Sequence, residues 1–541
     1  MLNFNYNIRR FDIAATLGWT GRYENMNNMR VSTNGGLVTE NWFDLNASRY
    51  TASSTLQRME LLKTGYMGTL SLGWDNYLFL ELTGRQERSS TLKDQSFFYP
   101  SANLSFLFSN AFRMPAWWNH GKLRLSYGIV GNAPETYAAN IIYEQGSDNG
   151  FTWNYVPSSW GNANIRPEKK YEYEIGLESK FFNNRLGFDV SYYNNRVKDQ
   201  ILSTPQPSSS GVKYVLMNVG EVANEGWDIS VSATPIQTKD FRWDLTANYG
   251  IYRNKVVKLA EGVPYLEISN IGGGGAKIQA VEGRPMGDIY VQVPQVNENG
   301  DYLVSDKGLY LNQTDLQRVG NINPDGVGGL FSSFSYKNIF LDFSIDFRIG
   351  GDVINEMYQY STASGLTPES LQYRDTEHGG LSYYYPGNNN ASGVPVQVDP
   401  SLGAGPNGEV IYHDGVILPG VVASTGEKNT RIIPAGYYYN QTYNWGTQPE
   451  QYTYRHSVFD NTYVKLRELT IGYQFPEKLI SKLGMTRLSV SVFGRNLFYF
   501  YKALKNYDAE SSVGTSWASQ AVVGGSTTAT RNFGISLRAS F

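Results

Sequence analysis

The sequence of 541 residues contains no cysteine and only four histidines, His120, His378, His413 and His456. The first absence removes disulfides, thiolate zinc sites and cysteine nucleophiles, and leaves the compartment open. The second leaves no His pair at metalloprotease spacing, so a histidine-based metal or catalytic centre would have to be assembled from distant loops. Basic side chains do not outnumber acidic ones, 46 against 49, which argues against a nucleic-acid partner because phosphate binding draws on a surplus of Lys and Arg. No stretch approaches roughly 18 consecutive apolar residues, so no membrane-crossing helix is expected, and MLNFNYNIRRF carries no apolar signal-peptide core. Linkers and charge blocks are missing too. One large unit over residues 1–541 is therefore expected, although the length would accommodate several domains.

What is abundant is aromatic: 40 Tyr, 26 Phe and 11 Trp make up 14% of the chain. A mean hydropathy of −0.39 suits a soluble protein, but a transmembrane β-barrel shows its apolar residues only at every second position and scores the same way. Period two is indeed pervasive. Leu2, Phe4, Tyr6 and Ile8 alternate with Asn3, Asn5 and Asn7, and Tyr171, Tyr173, Ile175 and Leu177 alternate with Glu172, Glu174 and Glu178. Leu341, Phe343, Ile345 and Phe347 alternate with Asp342, Ser344, Asp346 and Arg348. About fifteen such strands can be counted, most of them long enough to cross a bilayer at a tilt.

Alternation alone also fits a soluble all-β protein such as a propeller. Connection length separates the two. The turns at Asp75-Asn76, Asn183-Asn184 and Lys337-Asn338 are tight, whereas the connections at the other end, 21–62, 89–96, 132–168, 202–215, 259–325, 351–459 and 499–528, are longer on the whole. Short turns on the periplasmic side and long loops outside are the pattern of outer-membrane barrels. The expected fold is thus all-β, a transmembrane antiparallel β-barrel. The terminal Phe541 closes the apolar row of the last strand and is the candidate membrane-insertion signal.

Several segments resemble the SusC/RagA-type TonB-dependent outer-membrane transporters of the Bacteroidetes. They include KLRLSYGIVGN at 122–132, NVGEVANEGWDISVSATPI at 218–236, GRPMGDIY at 283–290, GNINPDGVGG at 320–329, LRELTIGYQFP at 466–476 and GRNLFYFYKALKNYDAE at 494–510. The resemblance implies a barrel of about 22 strands enclosing an N-terminal plug. The chain is expected to be the C-terminal part of such a barrel, with the plug, the TonB-contacting segment and the first strands lying outside it. The implied function is TonB-dependent import of oligosaccharides or peptides across the outer membrane. The implied partners are a SusD-like surface lipoprotein, the TonB–ExbB–ExbD complex through the N-terminal part, the solute and outer-membrane lipid. No cofactor is implied. An outer-membrane barrel enzyme and a surface receptor or adhesin without transport are the alternatives, and no convergent acid/base set supports the first.

Aromatic loop residues are the candidate substrate contacts, because their faces stack on sugar rings or clamp peptide side chains. In the 351–459 connection these are Tyr384, Tyr438, Tyr439, Tyr443 and Trp445; in 132–168 they are Trp153, Tyr155 and Trp160. The competing role is packing on one another or against a partner lid for the 351–459 set, and an interfacial aromatic belt for the 132–168 set. Gly272 to Gly275 lacks the Lys-Ser/Thr of a phosphate loop and reads as a flexible tip. Asn297, Asn299 and Asp301 resemble a calcium loop but have Tyr302 at the position that needs Gly, so no metal site is expected.

Overall fold

Residues that alternate between lipid and a polar interior pair into long antiparallel strands. The computed structural model describes residues 1–93, 96–148, 151–444, 453–525 and 529–541. Among these residues fifteen strands follow one another up and down: β1 (Leu2–Ile8), β2 (Phe11–Leu37), β3 (Ser48–Trp74), β4 (Leu78–Ser89), β5 (Ser96–Phe106), β6 (Trp118–Asn132), β7 (Glu168–Phe181), β8 (Leu186–Pro205), β9 (Tyr214–Gln237), β10 (Phe241–Lys258), β11 (Gly326–Tyr336), β12 (Ile339–Ile349), β13 (Tyr463–Gln474), β14 (Arg487–Lys502) and β15 (Asn532–Ser540). The observed class is the expected one, an all-β antiparallel barrel fold. The chain divides into two compact units, Met1–Ile229 with Asn254–Val263, and Ser230–Arg253 with Pro264–Phe541.

In unit one, register aligns one apolar row across the strands β1 to β8: Tyr6, Ile13, Leu72, Leu80, Leu104, Leu125, Ile175 and Tyr192. One residue along, the row on the opposite face reads Asn5, Ala14, Ser71, Glu81, Asn103, Ser126, Glu174 and Tyr193. There the Glu81 carboxylate accepts from Asn103 Nδ2 at 3.3 Å and from Ser71 Oγ at 3.4 Å. A one-residue slip of any strand would expose its whole polar set to lipid, so two-sided patterning fixes register strongly.

Unit two repeats the logic. Trp243, Phe334, Leu341, Ile471, Val492 and Ile535 form one row from β10 to β15. Ile535 is 77% exposed, as expected of a side chain whose solvent is lipid. The other face of β11 to β15 is a polar recess of about 460 Å³ lined by Asp342, Glu468, Arg495, Ser489 and Arg538 among others. In it Ser333 Oγ donates to Asp342 at 2.6 Å and Arg495 pairs with Glu468 at 2.9 Å.

The tight turns stand where the sequence places them. Arg9, Asp75, Asn76, Asn183, Asn184 and Lys337 all take left-handed φ between 52° and 63°, the conformation that two-residue hairpin turns require. The 21–62 connection differs from expectation. It is a ribbon, because β2 and β3 are 27 residues each and stay paired to Leu37↔Ser48. Only about 9–11 residues are needed to cross the bilayer. The remainder has water on both faces, so its Asn, Ser, Thr and Met residues show no alternation to read. Likewise β8 and β9 extend into the 202–215 connection, to Pro205 and from Tyr214.

The loop end of unit two carries its own cores. A four-stranded sheet of Tyr265–Ile271, Ala276–Val281, Asp288–Val291 and Gln317–Asn321 buries Ile278, Ile289 and Val291 completely. The two motifs at 283–290 and 320–329 meet here. Asp288, with no exposed surface, accepts from Arg284 Nε at 2.6 Å and Asn321 Nδ2 at 2.9 Å and forms an ion pair with Arg318, whose Nε lies 2.9 Å away. A buried carboxylate with two cations and an amide N–H is satisfied, and losing the carboxylate would leave two guanidinium groups without their counter-charge. The glycine run is also packed at one end, correcting its reading as a loose tip. Gly272 (φ 57°) lies so close to the Tyr454 ring that a Cβ could not be accommodated.

Candidate functional site

At the loop end of unit one, β3 continues past the point where its neighbour stops, since β4 ends at Ser89 opposite Lys63. The backbone groups of this uncovered edge need partners. The β4–β5 and β6–β7 connections supply several. Ser90 N donates to Leu62 O at 2.9 Å, Leu62 N donates to Ser90 Oγ at 3.0 Å, and Glu60 N donates to Tyr137 Oη at 3.3 Å. The β6–β7 connection is anchored below by Leu92, Phe97 and Ile165, against which Ala133 and Ala139 pack. Asn162 Nδ2 donates to Leu216 O at 3.0 Å and pins the same connection to β9.

Between ribbon and loops lies a cavity of about 660 Å³, within the usual range for small-molecule sites. Tyr23, Glu60 and Leu62 line it from the ribbon, Ser90, Thr91 and Lys93 from the β4–β5 connection, and Thr136, Tyr137 and Asn140 from the β6–β7 connection. Tyr137 has φ 67°, a strained conformation for a bulky side chain, of the kind that concentrates at functional sites. A second recess of about 280 Å³ on the other side of Tyr137 is lined by Glu144, Ser159 and Trp160. The indole N–H of Trp160 is buried and finds no acceptor among the described residues. Gly161 is held between Ala138 O and Asn140 O, where any side chain would collide.

The neighbouring hairpin Glu144–Asp148 with Phe151–Tyr155 presents Trp153, 48% exposed, and Tyr155, 45% exposed. The Trp153 ring lies across Gly146, where an added Cβ would approach it to 2.7 Å. A hydrogen bond to Glu144 raises the Tyr155 phenol above its ordinary pKa. Together the three sequence-identified aromatics of this connection are open or line a recess. Tyr23, Tyr137, Glu60 and Lys93 were not singled out in the sequence.

The aromatics of the 351–459 connection are placed otherwise. Tyr438, Tyr439 and Tyr443 lie on the helix Ala435–Tyr443. Tyr439 and Tyr443 are buried, pack on each other at 6.0 Å between centroids, and the Tyr439 hydroxyl donates to Glu369 O at 2.8 Å. Burial pushes the Tyr439 phenol up to about 12 and raises those of Tyr438 and Tyr443 as well. These two rings are thus core, which corrects the expectation of open stacking faces for them. Tyr438 is half-buried between two aromatic clusters. Tyr384, also half-buried, pairs with Ile411 and Val396 in a small sheet. Trp445 lies outside the described residues. Phe541 is exposed beyond the end of β15. The Asn297 side chain closes its own turn, accepting from Asn299 N and Asp301 N at 2.9 Å each.

A model of the family described as TonB dependent receptor-like, beta-barrel matches residues 2–283, more than half of the chain. The TonB-dependent receptor P3 of Formosa agariphila is 24% identical over 483 residues, covering 83% of this chain and 42% of its own length. The TonB-dependent receptor SusC of Bacteroides thetaiotaomicron is 27% identical over 247 residues, covering 41% of this chain and 24% of its own. The chain therefore spans less than half the length of these relatives. Among solved structures, the RagAB peptide transporter superposes with a TM-score of 0.72 at 18% identity, over 100% of this chain and 54% of that one.

Proposed function

The chain belongs to the TonB-dependent receptor-like β-barrel family, and from that premise we propose that it forms barrel wall and outer loops of an outer-membrane importer of SusC/RagA type, taking up oligosaccharides or peptides. The observation that carries this reading is the family match over residues 2–283; the candidate capture site is the loop-end cavity of unit one, where Tyr23, Glu60 and Leu62 continue the outward row of the strands beyond the bilayer. It joins two tyrosine rings, a carboxylate, an ammonium group and several hydroxyls at a size that fits a small polar solute. Tyr137 and Tyr23 supply stacking surface, Glu60 and Lys93 supply charge-assisted hydrogen bonds, and Trp160 supplies ring surface in the adjoining recess. Trp153, Tyr155, Tyr384, Tyr438 and Trp445 form the wider set of loop contacts in the same proposal.

Energy would come from the TonB–ExbB–ExbD complex acting through an N-terminal part, and a SusD-like surface lipoprotein would cover the loop end. Phe541 would serve as the insertion signal for barrel assembly. Capture by a pocket built from loops on a rigid wall needs no catalytic group, since positioning and release are the whole task.

The test is equilibrium binding to the complete protein, using a panel of defined oligosaccharides and peptides. For any panel member that binds, Tyr137→Ala and Trp160→Ala should each weaken affinity by roughly tenfold without loss of folded barrel. Unchanged affinity in both variants would reject the cavity as the capture site.

A further inference from the structure

Two of the connections at the turn end of unit two are only two or three residues long, Lys337–Asn338 between β11 and β12 and Thr238–Asp240 between β9 and β10. The connection from β13 to β14 is longer and carries a helical turn, Glu477–Ile480, continued by a tighter turn, Ser481–Leu483. Gly484 stops it in the left-handed conformation at φ 69°. Glu477, Lys478, Leu479, Lys482 and Leu483 are all exposed around the turn, and a lysine immediately precedes each of the two leucines. Ile480 is 2% exposed and seats the turn. Leu479 and Leu483 are each 64% exposed, far more than two leucines one helical turn apart would be if the turn existed only to fold the chain back.

The surroundings say what covers them. The turn hangs from the end of the apolar rows that face lipid, Ile471 and Tyr473 on β13 and Leu488 on β14. Tyr473 and Phe475 pack edge to face at 5.2 Å, and the Lys337 ammonium lies 5.5 Å from the Tyr336 ring centre at the same end of the strands. Aromatics with lysines beside them mark the level of lipid headgroups. A short segment with two exposed leucines, each preceded by a lysine, fits the plane between acyl chains and headgroups, where lysine stems lie along the apolar layer while the ammonium groups reach outward.

We propose that Glu477–Leu483 is an interfacial anchor that buries Leu479 and Leu483 among acyl chains of the leaflet at the turn end, and that Lys478 and Lys482 together hold the phosphate of an anionic phospholipid. Two adjacent ammonium groups favour an anionic over a zwitterionic headgroup, because the latter brings its own cation to the same place. The consequence is a preferred lipid at one point of the barrel rim, next to the β13–β14 hairpin.

The absence of cysteine from this chain allows a direct test. Leu483→Cys carries an environment-sensitive fluorophore in the folded protein reconstituted in phosphatidylcholine bilayers with and without phosphatidylglycerol, and Glu477→Cys is labelled in parallel. Position 483 should be quenched by spin-labelled lipid and shielded from aqueous iodide, with position 477 showing the reverse. Spin-labelled phosphatidylglycerol should outcompete spin-labelled phosphatidylcholine at 483 by about fivefold or more, and Lys478→Gln with Lys482→Gln should abolish that preference. Iodide quenching at 483 equal to that at 477 would overturn the anchor. So would shielding from both quenchers, which would indicate protein contact. A headgroup preference that survives loss of both lysines would overturn the phospholipid site. Both labelled positions are exposed, and the heat-sensitive gel mobility of the folded barrel checks each variant independently.

Discussion

In unit two the loop residues Tyr383, Tyr439, Tyr443 and Tyr454 are buried in cores of their own, whereas in unit one Tyr137, Trp153 and Tyr155 stand open on a hairpin or line a cavity. The physical difference is the number of elements available to cover a ring. The 351–459 connection folds helices Glu356–Ala363 and Ala435–Tyr443 against each other and against small sheets, so that Tyr439, Tyr443 and Tyr383 are each no more than 7% exposed. Among the described residues the β6–β7 connection has a two-stranded hairpin, turns and the two-residue strand Ser159–Trp160 paired with β9, too little to cover Trp153, Tyr155 and Phe151. Tyrosine serves both ends because it has an apolar body and a polar tip. Aromatic richness therefore marks a loop as structured without saying whether its rings are core or contact.

The largest expected effect breaks the comparison on the buried side. Tyr443→Ala should destabilise the loop end of unit two by about 3–5 kcal/mol, the range for removing a buried aromatic, read as loss of hydrogen-exchange protection over 435–443 and 356–363. Exchange unchanged in both helices would mean that the ring is not core. On the open side, Tyr137→Gly sharpens the contrast. It removes the ring but relaxes a left-handed residue, so stability should change by less than about 1 kcal/mol while solute affinity falls. A large loss of thermal stability would show that Tyr137 is packing.

A third effect depends on pH. The connection after β14 is strapped down in unit two by Asp508 and Glu510. Burial would raise both carboxyls, but both lie below their ordinary values. The Tyr499 hydroxyl and the N–H groups of Glu510 and Ala529 hold Asp508, and Arg467 and Lys465 hold Glu510. A depressed carboxyl contributes stability that is complete above its unfolded pKa of about 4 and is lost as the pH falls through the lower folded value. Amide exchange at 504–513 should therefore accelerate, relative to its intrinsic rate, below about pH 4. A constant ratio down to pH 2 would contradict the strap. The smallest effect should be that of Trp153→Ala, within about 0.5 kcal/mol, since its exposed ring supports nothing but Gly146.

The barrel wall was legible because lipid and a polar face impose opposite demands on alternate residues, so Leu341 and Asp342 or Leu125 and Ser126 announce their sides. The ribbon of β2 and β3 was not, because both faces of Asn25–Ser32 meet water and nothing forces alternation. Trp160 was found as an aromatic in the right connection. Tyr137 was missed because its strained φ and its bond to Glu60 N depend on an uncovered strand edge that is distant in sequence. For Tyr439 and Tyr443 packing and contact could not be told apart, because their spacing along the helix Ala435–Tyr443 is that of a packed face, hidden in a run of tyrosines.

Hydroxyl-radical footprinting of the complete protein, with and without a bound solute from the oligosaccharide and peptide panel, tests the division of roles most directly. Without solute, Tyr137, Trp153 and Tyr155 should be modified readily and Tyr439 and Tyr443 slowly. With solute, Tyr137 and Trp160 should become protected while Tyr439 and Tyr443 stay unchanged. Protection confined to the helix Ala435–Tyr443, with Tyr137 and Trp160 unaffected, would contradict the assignment of capture to unit one.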